Sequence, residues 1–177
     1  AMYNIGDTIL YAAQGVCKIQ EMMQRDFNGT IMEYYVLKPV FSDNSTIYVP
    51  VNNPALVGKM RRILSKEEIE QIIRDMPEEE LLWFDDEAER KEKFREVLFR
   101  ADTRELVRMI KALYLHQQKQ QEKGKHLHAA DERVFKEAEK ILYDEFALVL
   151  QIRPEQVVPF ITEKMQIQAK SLEQAGA

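Results

Sequence analysis

Residues 26–37 read DFNGTIMEYYVL, and this stretch predicts the tight hairpin around which the first part of the fold is built. Asn28-Gly29 favours a two-residue turn because both residues accept a positive φ. The residues after the turn are rich in β-branched and aromatic side chains, as strands are. Similar runs lie at 8–11, 15–22 and 46–49. Four or five short strands in about 55 residues predict a small SH3-like or Tudor-like β-barrel.

The hydrophobic period changes near residue 60 from that of strands to that of helices. Ser65 and Glu68 have the spacing of a capping box, Asp85 or Asp86 can cap a second helix, and Asp102 can cap a third. The predicted buried faces are Ile69, Ile72, Ile73 and Met76; Phe94, Val97 and Leu98; Leu106, Met109, Ile110, Leu113 and Tyr114; and Val134, Ala138, Ile141, Leu142 and Phe146. A last helix is expected from Pro154 through Met165, with a frayed tail beyond Lys170.

These patterns predict an α+β protein with two parts. The first, over residues 1–60, is the small β-barrel, and the second, over residues 61–177, is a compact all-helical domain. A β-module of this size is marginally stable alone, so we expect it to pack against the helices. The order of the two parts suits an adaptor better than a common catalytic scaffold.

The composition restricts the possible classes of protein. Of the 177 residues, 45% are hydrophobic and 31% charged, and no apolar run is long enough to span a bilayer. The single cysteine, Cys17, cannot form an internal disulfide and is expected to be a buried small hydrophobe, so a reducing cytoplasm is the expected location.

The charge distribution argues against DNA or RNA binding through bulk charge. Residues 1–60 have 4 Lys/Arg and 5 Asp/Glu, residues 61–100 have 9 and 13, and residues 101–177 have 12 of each. No third of the chain is strongly basic, so any contact with nucleic acid must be local or delivered by a partner.

Catalytic and metal-binding patterns are not recognisable in the sequence. It has no nucleophile–base motif, phosphate-binding loop or dinucleotide fingerprint. His126 and His128 lie close to Asp131 and Glu132, but a His-x-His pair in a polar loop is more often solvent-exposed than metal-binding. We therefore expect no enzyme activity, cofactor, metal or small-molecule substrate.

Trp83, the only tryptophan, allows two interpretations. It can fill the joint between two helices, as most tryptophans do. It can also protrude as a wedge that unstacks a base step in a minor groove, with Arg90, Lys91, Lys93 and Arg95 gripping phosphates. Those cations can equally belong to a solvated helix face that pairs with neighbouring glutamates. The residues alone leave both questions open.

The chain resembles the CarD family of bacterial RNA polymerase-binding transcription regulators, also called CdnL-type proteins. The residues that carry the resemblance are Gly6-Asp7-Thr8, Tyr11, Gly15-Val16, Glu33 to Leu37, Val49-Pro50 and Gly58 in the first part, and Trp83, Ala101-Asp102, Leu106 to Tyr114, Gly124 to His128, Asp131-Glu132 and Ala138-Glu139 in the second. The first part alone also resembles the N-terminal module of the transcription-repair coupling factor.

The resemblance implies a non-enzymatic regulator of promoter opening. Its β-domain would dock on the β-subunit lobe of RNA polymerase, with Arg25 and Tyr48 at polymerase-binding positions. Trp83 would wedge into the minor groove of promoter DNA at the upstream edge of the transcription bubble, assisted by Arg90, Lys91 and Arg95. Such a protein would be cytoplasmic and associated with the nucleoid through the polymerase.

A second reading keeps the polymerase docking and omits the DNA. In it the helical domain binds a protein partner, Trp83 lies in a protein interface or a core, and the basic cluster is a solvated helix face. A promoter footprint extended upstream of the melted region would separate the two readings.

Overall fold

The computed structural model describes residues 2–12, 14–42, 45–161 and 163. The N-terminal part is an antiparallel five-stranded sheet whose strands are β1 (Thr8–Tyr11), β2 (Gly15–Phe27), β3 (Thr30–Pro39), β4 (Ile47–Pro50) and β5 (Met60–Arg62). Their spatial order is β4-β3-β2-β1-β5, so β4 and β5 are the two edges. A short helix, α1 (Pro54–Val57), connects these two edge strands.

The hairpin between β2 and β3 forms where the sequence predicted it. Phe27 pairs with Thr30, and Asn28 and Gly29 both have positive φ, at 51° and 87°. Asp26 closes the turn by accepting a hydrogen bond of 2.8 Å from the Gly29 amide. The paired strands are long and carry a bulge at Ile19/Glu21.

The rest of the described chain is helical. The helices are α2 (Lys66–Asp75), α3 (Glu87–Arg100), α4 (Thr103–Glu122) and α5 (Ala129–Leu150), with short 3-10 turns at Met76–Glu78 and Pro154–Gln156 and further helical residues at 157–161. The capping box at Ser65 and Glu68 is present, and Asp86 and Asp102 cap α3 and α4. The predicted α+β class is confirmed. The predicted end of the last helix at Met165 and the tail beyond Lys170 lie outside the described residues.

The sheet and the helices share part of their hydrophobic core. One face of the sheet has its own cluster, formed by Tyr3, Ile9, Tyr11, Cys17, Ile19, Tyr35, Leu37, Val49 and Met60. Leu10 and Val16 face the other way and pack with buried residues of α3, α4 and α5, among them Phe94, Leu106 and Ile141. The predicted boundary at residue 60 therefore falls at the start of a strand that belongs to the sheet.

A buried ion pair also joins the sheet to α5. Arg61 on β5 donates two hydrogen bonds, of 2.7 and 2.6 Å, to the carboxylate of Glu145, which is 0% exposed. Glu145 also accepts the Leu64 amide at 3.0 Å, and Arg61 donates to the Ala101 carbonyl at 2.8 Å. A buried carboxylate needs several such donors, so this cluster fixes β5 against α4 and α5.

A second contact between the parts depends on a glycine. Gly15 has φ +82°, and a Cβ atom added there would lie 2.4 Å from the Asp144 carboxylate on α5. Lys140 on the same helix donates to Asp144 at 2.8 Å and to the Gln14 carbonyl at 3.1 Å. The turn between β1 and β2 therefore lies directly against α5.

Candidate functional site

Arg25 and Tyr48, which are 23 positions apart in the sequence, lie together on the surface of the sheet. Both are exposed, and the Arg25 guanidinium carbon lies 5.7 Å from the centre of the Tyr48 ring. This is within the range of a cation–π contact, which contributes about 0.5–1 kcal/mol at an exposed site. The structure thus brings the two predicted polymerase-binding residues into one patch.

The patch lies beside an open edge of the sheet. Tyr48 belongs to β4, which pairs with β3 from Tyr34↔Pro50 to Leu37↔Ile47 and is the last strand in the sheet order. Within the described residues no strand pairs with the outer side of β4. An edge strand presents unpaired N–H and C=O groups on which an extended segment of a partner can add.

Trp83 lies in a segment, residues 79–86, that has no helical or strand structure. The segment is tied to α4 at Glu79 and Leu82, and the Glu79 carboxylate accepts hydrogen bonds from Arg104 and Arg108 of α4, at 2.9 and 2.8 Å. The Leu82 amide donates to the Arg108 carbonyl at 3.3 Å, and Lys111 donates to the Glu79 carbonyl at 2.7 Å. The backbone around the tryptophan is therefore held by α4, while the direction of the ring depends on its side-chain contacts.

Three side chains contact the indole ring of Trp83. Phe94 on α3 meets it edge-to-face with ring centres 6.0 Å apart. His116 on α4 stacks on it with ring centres 3.5 Å apart and planes 10° from parallel. The Arg90 guanidinium lies over the ring at 4.6 Å. Trp83 is partly exposed, so it is neither a free wedge nor a fully buried joint between helices.

Arg90 is not on the surface, where a residue that contacts phosphates has to be. It is 5% exposed and donates from Nε and Nη2 to both carboxylate oxygens of Asp131 on α5, at 3.0 and 2.9 Å. Its Nη1 donates to the carbonyls of Phe84 and Asp85, at 3.0 and 3.3 Å. The expectation of an exposed Arg90 is corrected by this placement, because the guanidinium connects α3, α5 and the Trp83 segment from inside.

Lys91 and Arg95 are exposed and lie one helical turn apart on α3. Within the part of the chain that the structure describes, neither forms an ion pair with the glutamates of the helix, and Glu96 instead lies 3.9 Å from Arg100. Lys93 is also exposed, but at helical spacing it faces a different side of α3. Lys91 and Arg95 are therefore two exposed, unpaired cations on the helix whose Phe94 and Arg90 contact Trp83.

His116 is the component of this site that the sequence reasoning missed. Burial and the nearby Lys119 and Arg90 cations lower the pKa of the imidazole below its usual value. The lowered pKa favours the neutral imidazole, which presents a flat, uncharged face to the indole. The signal for it in the sequence was weak, because His116 is 33 positions from Trp83 and occupies an ordinary position on α4.

The other residues that the sequence analysis considered for capping, metal binding or reactivity include Asp86, His128 and Cys17. Asp86 caps α3 by accepting the Glu89 amide at 2.9 Å, and His128 is the residue immediately before α5. Among the described residues no group of three or more His, Cys, Asp or Glu side chains is arranged to hold a metal ion. Burial raises the pKa of the Cys17 thiol to about 11, which makes it a poor nucleophile at neutral pH.

The five-stranded sheet has an open edge at β4 and an exposed Arg25–Tyr48 patch beside it, a geometry that suits the binding of another protein. Residues 3–64 match the family model of the CarD-like/TRCF RID domain. The matched range ends two residues after β5, so it covers the whole sheet. The match is consistent with a CarD/CdnL-like protein, as the sequence predicted.

The matched family indicates the general function of the N-terminal domain. Domains of this family interact with the RNA polymerase β subunit, and the match supports a polymerase-binding role in transcription regulation. The family is a protein-interaction module and not a catalytic one. In the described part of the chain, no helix is long and apolar enough to cross a membrane.

Proposed function

We propose that this protein docks on the RNA polymerase β-subunit lobe and stabilises the open promoter complex by contacting DNA at the upstream edge of the melted region. The observation that carries the proposal is the division of candidate contacts between two surfaces. The matched domain has an edge strand beside the Arg25–Tyr48 patch, and the helical part has the partly exposed Trp83 and, on α3, the exposed cations Lys91 and Arg95. We assign residues 1–60 to polymerase docking and residues 61–177 to DNA contact. Such a protein acts in the cytoplasm, associated with the nucleoid through the polymerase.

The docking step uses the β4 edge and the patch beside it. An extended segment of the polymerase can pair with the outer side of β4, and side-chain anchors then fix its register. Arg25 supports an acidic contact because its guanidinium is exposed and, among the described residues, contacts only the Tyr48 ring. Tyr48, 48% exposed, supplies an apolar or stacked contact at the same place.

The docking step is tested by reversing one charge. Arg25→Glu should weaken binding to purified polymerase by about 1–3 kcal/mol, the range for a charge-assisted hydrogen bond, or about 5- to 150-fold in Kd. Arg133→Glu makes the same charge change at an exposed position of α5 and should leave binding unchanged. Equal affinities of the Arg25→Glu protein and the parent would remove this residue from the interface.

The DNA step depends on tethering, because the protein as a whole is acidic. With a net charge of −5 it should bind free duplex DNA weakly. Once the sheet is docked, the helical part meets promoter DNA at an effective concentration that reaches about millimolar. Trp83 then contacts an unstacked base step while Lys91 and Arg95 contact phosphates. Arg90 has no direct part in this contact, and its role is to support the tryptophan from inside.

The effect on the promoter follows from a difference in affinity between two states of the DNA. A protein shifts the equilibrium toward the melted state only by binding it better than the closed duplex. A preference of roughly 1–2 kcal/mol would lengthen the lifetime of the open complex by about 5- to 30-fold.

Trp83→Ala tests this mechanism directly. The variant should still bind polymerase but lose an aromatic contact of about 1–3 kcal/mol with the DNA bases, and so shorten the open-complex lifetime. Tyr114→Ala removes an aromatic ring of α4 that is 50% exposed and is the control for loss of a surface aromatic group. A folded, polymerase-binding Trp83→Ala protein that stabilises open complexes as the parent does would exclude the wedge.

The proposed phosphate contacts are tested by substitutions at three basic positions of α3. Lys91→Ala and Arg95→Ala should each reduce the salt dependence of open-complex stabilisation, because each removes about one phosphate contact. Lys93→Ala, on another side of α3, is the control. Equal effects of all three variants would argue for a general charge effect and against a defined contact surface.

One observation favours the second candidate function, in which the helical part binds a protein. Phe94, His116 and Arg90 all contact the ring of Trp83, which limits how far the indole can enter a groove. A footprint of the polymerase–promoter complex decides between the two. Protection that extends upstream of the melted region only when the protein is present supports DNA contact, and an unchanged footprint supports a protein partner.

A further inference from the structure

The direction of the Trp83 ring is fixed by side chains because the backbone around it has no regular structure. Residues 79–86 belong to no helix or strand, and the contacts that tie the segment to α4 are at Leu82 and Glu79. Neither contact restricts the torsions of the tryptophan side chain. The three groups that touch the indole therefore have to orient it.

These three groups differ in what else holds them. Phe94 is fully buried in the core and meets the indole only by an edge. Arg90 is held by the carboxylate of Asp131 and by two carbonyl groups, so its position is set by that network. The His116 side chain makes no hydrogen bond within the described residues, and its ring contact is the stack on the indole, with ring centres 3.5 Å apart.

We propose that His116 is a positioning residue for Trp83, which holds the indole by stacking in the orientation that contacts DNA. The proposal rests on the proposed DNA-binding role of Trp83 and adds the residue on which that role depends. Parallel stacking restricts the indole to one plane, and a ring that is already oriented loses less freedom when it binds. Since His116 is partly exposed and is not one of the buried residues of α4, its removal should disturb the ring more than the fold.

The charged groups around His116 favour the neutral ring. Lys119 on α4 and Arg90 on α3 lower its pKa, as does burial, while Asp85 before α3 and Asp131 on α5 act in the opposite direction. His128, the residue before α5, lines a small surface pocket together with Trp83 and His116. Protonation at acid pH would place a second cation on the indole beside Arg90. A stacked, protonated imidazole quenches indole fluorescence, so Trp83, as the only tryptophan, reports on this contact directly.

The experiment uses three variants of the full chain, each with a single substitution. His116→Ala removes the stack, His116→Phe keeps a flat ring that cannot be protonated, and His126→Ala removes an exposed histidine of the α4–α5 loop as a control. Two properties are measured for each: the open-complex lifetime with polymerase and promoter, and the fluorescence of Trp83 as the pH is lowered. A urea unfolding curve for each variant establishes that it is folded.

We expect His116→Ala to shorten the open-complex lifetime by about 2- to 12-fold, which corresponds to the loss of one aromatic pair. His116→Phe should restore most of the lifetime. The parent and His126→Ala should show a fluorescence transition with a midpoint below pH 6.5, which is missing in both His116 variants. With Trp83→Ala already present, His116→Ala should have no further effect on the lifetime.

The possible failures of this proposal and of the proposed function are distinct. A parental lifetime in folded His116→Ala, with a shortened lifetime in Trp83→Ala, would overturn the positioning role and leave the wedge intact. A parental lifetime in Trp83→Ala would instead overturn the wedge itself. If His116→Ala does not fold, an unrestored lifetime in His116→Phe, or a parental fluorescence transition in that variant, would overturn the proposal.

Discussion

The buried pair of Arg90 and Asp131 gives the sharpest test of how the Trp83 site is built. Both residues are 5% exposed, and two hydrogen bonds of 3.0 and 2.9 Å join them. Asp131→Asn keeps the size of the side chain but removes its charge, which leaves a buried guanidinium without a counterion. Breaking a buried pair from one side costs about 3–5 kcal/mol. Arg90 keeps the Phe84 and Asp85 carbonyls as acceptors, so we expect a value near the lower limit, about 3 kcal/mol.

The measurement is urea unfolding followed by circular dichroism, together with a thermal melt. At about 2–4 °C per kcal/mol for a chain of this size, the melting temperature should fall by about 6–12 °C. Glu132→Gln, a neighbouring change on the exposed surface of α5, should alter stability by less than about 0.5 kcal/mol. Replacing both partners, as Arg90→Met with Asp131→Leu, should recover most of the loss, because two apolar residues leave no buried charge.

An unchanged urea midpoint in Asp131→Asn would refute this reasoning. It would mean that water reaches the Arg90 guanidinium in the folded protein. Arg90 would then be accessible, and the original expectation that it contacts phosphates would be reinstated. The same pair of measurements therefore decides between a supporting and a DNA-contacting role for Arg90.

Three further predictions concern the contact between sheet and helices and the buried thiol. Glu145→Ala should lower the free energy of unfolding by about 1–3 kcal/mol in urea titrations, because it removes the carboxylate from an Arg61 side chain that is only 23% exposed; an unchanged free energy of unfolding would contradict the pair. Gly15→Ala should lower the urea midpoint by the equivalent of about 1–3 kcal/mol, since it adds backbone strain at φ +82° and a Cβ close to Asp144; a midpoint equal to that of the parent would argue against this close approach. At pH 8 the Cys17 thiol, with a pKa of about 11, should be ionised in only about one molecule in a thousand, and labelling by a thiol reagent should accelerate strongly in urea. Equally fast labelling of the folded protein would show that the thiol is accessible.

The parts of the fold that local patterns predicted are those whose stabilising contacts are local. The Asn28-Gly29 turn, the Ser65–Glu68 capping box and the Asp102 cap each form between residues one to three positions apart. Their chemistry can be read from spacing alone. Most residues of the helix faces were predictable for the same reason, because the helical period repeats over a few residues. Tyr114, predicted on the buried face of α4, is 50% exposed, and that prediction is wrong.

The candidate sites depend instead on contacts between distant positions. Arg90 meets Asp131 across 41 positions, and His116 reaches Trp83 from α4. At the sequence level Arg90 belonged to a cluster of cations and looked like its neighbours Lys91 and Arg95. Only the packing of α3 against α5 shows that Arg90 is buried, whereas Lys91 and Arg95 are exposed. The pairing of Arg25 with Tyr48 was likewise not readable before the strand order was known.

Helix α5 connects the docking sheet to the Trp83 site and sets the distance between them. Its Glu145 holds β5 of the docking sheet, and its Asp131 holds Arg90 beneath Trp83. Fourteen residues at a rise of about 1.5 Å place these anchors about 21 Å apart along a single rod. Under the proposed function, the length of this helix selects which base-pair step the tryptophan meets once the sheet is bound. One added residue would shift the spacing by about 1.5 Å and rotate one anchor by about 100°, so the length of α5 should be far less tolerant of change than its exposed sequence.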